Sequence, residues 1–252
     1  MSLRLPSDIA ARRAEIRQAI VYTKICLLIL AGFAAMVFWQ ARIERETYEH
    51  IATVAAPFHA RHGVPADVAH LAVDTARAPQ MMRWSGAQRT EIRLGDLRDT
   101  RLRVKGATVV HGRVLGVDLF HGPLMKDISP VDISLSWQEA ATDAAFSRQS
   151  TFHTRRQARV RGFTARELRR MTNTHLIPAS GAVYDALRAV TPDDRIVLAG
   201  HPVTVHRLGA RPWDSDMRYG DENCEILLIT GVRVESPDGQ IKDLAALDLA
   251  GA

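Results

Sequence analysis

Cysteine is nearly absent from this 252-residue chain: Cys26 and Cys224 are the only two. Two are too few for a disulfide scaffold, so the fold must rest on a hydrophobic core. Lysine is also scarce. Of 33 basic residues only Lys24, Lys105, Lys126 and Lys242 are lysines, and the rest are arginines. Aromatic residues make up 6%, which leaves little for a base-stacking platform. No Walker A loop, G-x-G-x-x-G, H-E-x-x-H, G-x-S-x-G or paired C-x-x-C occurs. Those absences remove the sequence signatures of P-loop nucleotide hydrolysis, dinucleotide binding, zincin proteolysis and the serine elbow. What remains is an ordinary globular composition, 46% hydrophobic and 24% charged. A chain this long buries roughly 70% or more of its unfolded surface.

One long hydrophobic run is present. From Ile25 to Trp39 the segment ICLLILAGFAAMVFW carries no charge, and extension back to Ala19 adds only Lys24. A helix over that stretch is about 30 Å long, matching the hydrocarbon thickness of a bilayer. Lys24 lies near one end, where its stem can carry the ammonium to the headgroups. Tyr22 and Trp39 fall where interfacial aromatic rings prefer to sit. No small-x-small cleavage site follows Trp39, so an uncleaved anchor is favoured over a signal peptide. Arg4, Arg12, Arg13, Arg17 and Lys24 precede the span, against Arg42 and Arg45 behind it. That asymmetry predicts a cytoplasmic N-terminus and a periplasmic main domain in a bacterial inner membrane.

The expected organisation is a cytoplasmic tail over 1–18, a transmembrane helix over 19–40, a helical stalk over 41–80 and a periplasmic domain over 81–252. Ile43, Ile51, Val54 and Phe58 recur at helical spacing, with Gly63 as a stop. A further short helix is expected from Pro65. Strands are expected at 90–94, 102–117, 131–137, 196–208 and 225–235, and a turn at Gly95–Asp99. In 131–137 apolar and polar residues alternate, as in a half-exposed strand. Thr164 and Glu167 form a capping box, 181–190 reads as a helix, and 243–250 as a short one. The series Leu102, Val104, Gly106, Val109 repeats as Ile196, Leu198, Gly200, Val203, and glycine within a strand marks a bend. The fold class is therefore α+β: one transmembrane helix and stalk, then a β-rich, antiparallel, barrel-like domain with short helices.

Candidate chemistry is sparse. His59 and His62 share a helix face but lack a carboxylate, while His201 and His206 should point to opposite faces of a strand. No metal ligand set or cofactor motif emerges. The segment Trp213–Glu225 gathers acids, two aromatics and the Cys224 thiol, but its spacing does not fit a calcium loop. A surface hairpin loop whose Asp and Arg residues pair with each other is its simpler reading. As a nucleophile Cys224 would need a base from elsewhere, His175 or His201; as the first residue of an apolar strand it reads more simply as a core thiol. Between Arg148 and Arg170 lie eight arginines and one acid, Glu167. Arg155, Arg156, Arg159, Arg161, Arg166, Arg169 and Arg170 form the expected partner-binding face.

The reading favoured by these features is a non-catalytic, single-pass subunit or assembly factor of an envelope complex. It would dock on other membrane or periplasmic proteins, with anionic lipid as an alternative target and nucleic acid disfavoured. A membrane-tethered hydrolase built on the 213–225 loop is the competing reading. A cytoplasm-facing nucleic-acid-binding domain is a third.

Overall fold

The computed structural model describes residues 6–86, 90–94, 99–119, 128–154, 157–220 and 224–247. The chain divides into two compact units, Met1–Glu44 and Arg45–Ala252. In the first, the described backbone, from Pro6 onward, belongs to a single helix, α1 (Pro6–His62). Its apolar side chains between Ile16 and Trp39 are exposed on every side, with Leu28 at 73% and Phe38 at 74%. A soluble helix would bury one stripe of them. Among the described residues, this is the one helix long and apolar enough to cross a membrane, with a mean hydropathy of 2.2 over its best window. The Thr23 hydroxyl donates to the Ala19 carbonyl at 2.9 Å, which satisfies it without water.

In the second unit α1 ends as its sequence dictates. Gly63 takes φ +70, and its N–H donates to the His59 carbonyl at 2.7 Å, the left-handed stop that glycine accepts at no cost. The segment from Pro65 forms only a short 3-10 turn, Val68–His70. Among the described residues fifteen further strands and α-helices follow, with a second 3-10 turn at Gln138–Ala141: β1 (Gln80–Arg83), β2 (Glu91–Arg93), β3 (Arg101–Val104), β4 (Gly106–Leu119), β5 (Val131–Ser136), α2 (Asp143–Phe146), β6 (Ser150–Thr154), β7 (Gln157–Arg161), α3 (Ala165–Leu168), β8 (Met171–Pro178), α4 (Gly181–Arg188), β9 (Arg195–His206), β10 (Trp213–Asp214), β11 (Cys224–Glu235) and β12 (Ile241–Ala246). The expected turn at 95–98 lies outside the described residues. Where a C-terminal helix was expected from Asp243, β12 instead pairs antiparallel with β11. The hydrogen-bonding edge of a long neighbouring strand outweighs the weak local helix preference there.

Five strands close on themselves: β4 pairs β5, β5 pairs β8, β8 pairs β11, β11 pairs β9, and β9 pairs β4. Four of these pairings are antiparallel, as expected for the sheet as a whole, and β8–β11 is parallel. The parallel pair is made possible by the crossover through α4 and β9. We describe the arrangement as a ring of strands. A core drawn from all five ring strands includes Val110, Val114, Ile133, Leu135, Leu176, Ile196, Leu198, Leu227 and Ile229, with Val183 and Leu187 of α4 packed on it. Each such side chain contributes roughly 1.5–3 kcal/mol by leaving water. Ser180 caps α4 by accepting from the Val183 N–H at 3.3 Å.

A second core lies on the other face of the ring strands. Ile177, Ile226, Leu228, Val203 and Val205 meet Tyr48, Ile51, Ala55 and Phe58 there. Residues expected as a stalk thus supply one wall of a core. The paired glycine series is also explained. β4 and β9 lie side by side, with Thr108 opposite Gly200. A Cβ on Gly106 would collide with the Met82 carbonyl oxygen, and one on Gly200 with that of Leu228. Only glycine permits the neighbouring backbones to approach so closely.

Candidate active site

The site grows from the alternation of β5. Val131, Ile133 and Leu135 face the ring core, so Asp132, Ser134 and Ser136 face the other way. The alternation promised exposure for these polar residues, yet all three are fully buried. The second face of β5 is covered, and its polar residues are held by neighbours. On β8, Leu176 points to the ring core, which places Asn173, His175 and Ile177 on the same outer face. On β11, Ile226 and Leu228 occupy that face, and Cys224 precedes them at the same parity.

Strand register then aligns the chemistry. His175 lies opposite Asp132, and Asn173 opposite Ser134. Cys224 lies opposite Asn173, one step along the parallel pair from His175. His175 Nδ1 is 2.8 Å from Asp132 Oδ1, and Cys224 stands diagonally across the β8–β11 pair, near enough for its charge to act on the same ring. The result is a carboxylate directly opposite an imidazole, with a thiol diagonal to the ring on the third strand. Burial disfavours a charged His175, but the Asp132 carboxylate beside it, and then Cys224, favour the protonated ring, outweigh burial and push it up to about 9. A ring so poised carries a proton at neutral pH. Trp213, brought in by the pairing of β10 with β9, packs its ring 4.9 Å from that of His175. An aromatic face at that distance also favours the cation.

The polar row continues away from the thiol. The Ser134 hydroxyl donates to Asn173 Oδ1 at 3.2 Å and lies 2.9 Å from His153 Nε2. His153 belongs to the β6–β7 hairpin, which packs on β4 so closely that a Cβ on Gly116 would press on Thr151 and His153. Burial lowers the His153 ring below the ordinary histidine range. Behind Cys224, on the ring-core face, Glu225 accepts a hydrogen bond from the Thr172 hydroxyl. Burial, helped by the charge of Asp216, pushes its carboxyl up to about 8 against the opposing pull of Thr172 and His175.

Cys224 is half-buried. The core-thiol expectation assigned it the wrong neighbours, because its strand begins beside a histidine rather than within the apolar cluster. Of the two histidines considered as its base, His175 lies beside it on the neighbouring strand. His201 lies elsewhere: its Nδ1 is 2.8 Å from the Gly106 carbonyl oxygen, and its ring packs against Phe58, His59 and Trp84. Among the described residues, no three His, Cys, Asp or Glu side chains converge to hold a metal ion. Asp132 escaped the sequence reading. The signal present was a carboxylate and two serines at alternate positions of an otherwise apolar strand, echoed by Asn173 and His175 on another.

The rest of the 213–225 loop is structural at its start. Asp214 accepts from Lys105 Nζ at 2.9 Å and from the Thr204 hydroxyl, so its partners come from the sheet rather than from within the loop. Residues 221–223 lie outside the described set. Of the arginines, Arg155 and Arg156 also lie outside it. Arg159 and Arg161 are exposed on β7. Arg166 Nε is 2.7 Å from Glu139 Oε1, and Arg170 Nε is 3.7 Å from the same atom; Arg148 is 2.7 Å from Glu167. Arg169 caps the C-terminus of α3. The basic face is thus partly neutralised by acids. Tyr22, Lys24 and Trp39 are exposed along α1.

Comparison of the chain with protein-family models, curated proteins and solved structures returns no match.

Proposed function

We propose that this protein is a membrane-tethered hydrolase that transfers an acyl group to Cys224 and then to water. Residues 19–40 of α1 are its anchor, the N-terminus is cytoplasmic and the strand-rich unit lies in the periplasm, on the strength of the flanking arginines. The observation that carries the reading is the cluster of Asp132, His175 and Cys224 on adjacent strands, with 2.8 Å between the carboxylate and the ring. Cysteine nucleophiles are activated by an adjacent base that a third group orients. Cys224 would attack as the thiolate while His175 carries the proton. When the intermediate collapses, the leaving group takes that proton, and the acyl group remains on sulfur as a thioester. His175 then accepts a proton from the water that releases the acid. The Asp132 carboxylate, 2.8 Å from Nδ1, would stabilise the positive charge on the ring.

Incubation of the full chain in mild detergent with p-nitrophenyl acetate tests the reading. A burst of p-nitrophenol and an acetyl group on Cys224 by peptide mass mapping are expected. Acylation no faster than that of free cysteine would overturn it.

A docking role at the basic face is a second reading, and one observation favours it. Phe152 is exposed, pairs with Arg159 across the β6–β7 hairpin, and lies 5.3 Å beneath the Arg161 guanidinium. An exposed ring among arginines suits an acidic protein partner. Loss of salt-sensitive co-purification on Phe152→Ala would support it, and unchanged yield would contradict it.

A further inference from the structure

Acyl transfer through a thiol needs more than a nucleophile and a base. As the C–S bond forms, the carbonyl π pair moves onto oxygen, and that charge requires a hydrogen-bond donor. Asn173 stands where such a donor would be needed. It lies opposite Ser134 on one side and Cys224 on the other, on the same face of the sheet as both. Its side chain is almost fully buried. Its Oδ1 is turned toward β5, where it accepts from Ser134 at 3.2 Å. A carboxamide is planar, so an oxygen directed at β5 directs the NH2 group toward β11 and Cys224.

We infer that the Asn173 carboxamide donates to the oxyanion formed when Cys224 attacks a carbonyl carbon, an assignment that rests on the hydrolase reading above. Ser134 and His153 are positioning residues. The His153 ring, 2.9 Å from the Ser134 oxygen, holds that hydroxyl against Asn173 and so keeps the amide from turning over. Two histidines thereby serve one thiol from different sides. His175 moves protons, and His153 acts only through Ser134 and Asn173. When the tetrahedral intermediate collapses, the electron pair on oxygen reforms the C=O bond, the bond to the leaving group breaks, and Asn173 again donates to a neutral carbonyl oxygen.

The test uses two reagents on the full chain in detergent. Iodoacetamide alkylates sulfur by displacement of iodide, a step in which no oxyanion forms. p-Nitrophenyl acetate acylates sulfur through one. For Asn173→Ala, acylation of Cys224 should fall by about 10²-fold, while alkylation changes less than about 2-fold. Asn173→Asp should be as slow in acylation, because a carboxylate repels the oxyanion. Ser134→Ala should lose acylation by a smaller factor with KM unchanged. If Asn173→Ala fails to fold, the same split in Ser134→Ala, read with a native melting curve, carries the test. Equal loss in both reactions would make Asn173 a mere prop of the Cys–His pair. No loss in either would remove it from the site. Both results overturn the assignment and leave the hydrolase reading standing. Wild-type Cys224 that reacts with neither reagent faster than free cysteine would overturn both.

Discussion

His175 and the pair His59 and His201 are all buried, yet their surroundings drive them in opposite directions. His175 has Asp132 and Cys224 within reach, and they raise it to about 9 against the effect of burial. His59 and His201 sit among Phe58, Trp84 and His62, with ring centroids 5.6 Å apart. Burial dominates there, and each ring is lowered to about 4, with neighbouring histidines adding to the effect. The His59 nitrogens and His201 Nε2 find no hydrogen-bond partner. The contrast shows what burial alone does to an imidazole and what one opposing carboxylate can reverse. In this molecule the histidines among aromatic rings serve packing, and the one beside a carboxylate is the one proposed for chemistry.

Substitutions that remove the partners should break this contrast. The largest effect is expected for Cys224→Ala. Acyl transfer to ester probes should drop to the level of the uncatalysed reaction, while the melting temperature shifts by only a few degrees. Next is Asp132→Asn, which keeps the shape but removes the charge. Acyl transfer should fall by roughly 10²- to 10⁴-fold. The His175 ring, followed by NMR, should titrate well below its wild-type position. An unchanged titration would mean that Asp132 does not control it.

A third variant sharpens the other side. Because His59 and His201 are lowered in the folded state, the stability they contribute is full above their ordinary value of 6.5 and is lost as pH falls toward about 4. His59→Leu should therefore flatten the acid limb, with a gain of roughly 2 kcal/mol near pH 4 that shrinks above pH 7. Activity should be unaffected. His175 behaves in the reverse sense: its contribution is full below 6.5 and is lost as pH rises through about 9. Glu225, raised from 4.5 to about 8, also loses its contribution as pH rises through that range. Thermal melts from pH 4 to pH 10 should show a maximum between these limbs. The smallest effect belongs to the surface. Arg166 is 2.7 Å from Glu139 but mostly exposed, so Arg166→Ala should change stability by less than about 1 kcal/mol.

Local structure was readable where one segment decides it. The Thr164–Glu167 capping box forms as its spacing dictates, Gly63 ends α1, and α4 occupies the apolar-periodic stretch after Ser180. The candidate site was not readable in the same way. Asp132, His175 and Cys224 come from three separate strands, and only the β5–β8–β11 register brings them into line. The parallel β8–β11 pairing is itself non-local, set by the crossover rather than by either strand. The alternation over 131–137 does put Asp132 and Ser134 on one face of β5. It failed on their exposure, because other parts of the chain cover that face. The β12 error has the same origin: an available edge on β11 decided a segment whose own preference was weak.

The central claim is that His175 makes Cys224 reactive. It is tested most directly by the rate at which iodoacetamide alkylates Cys224 at pH 7, resolved from Cys26 by peptide mass mapping, in wild type and in folded His175→Ala. The account predicts that wild-type Cys224 reacts at least about ten times faster than the same thiol in the variant. Equal rates in two equally folded proteins would contradict it.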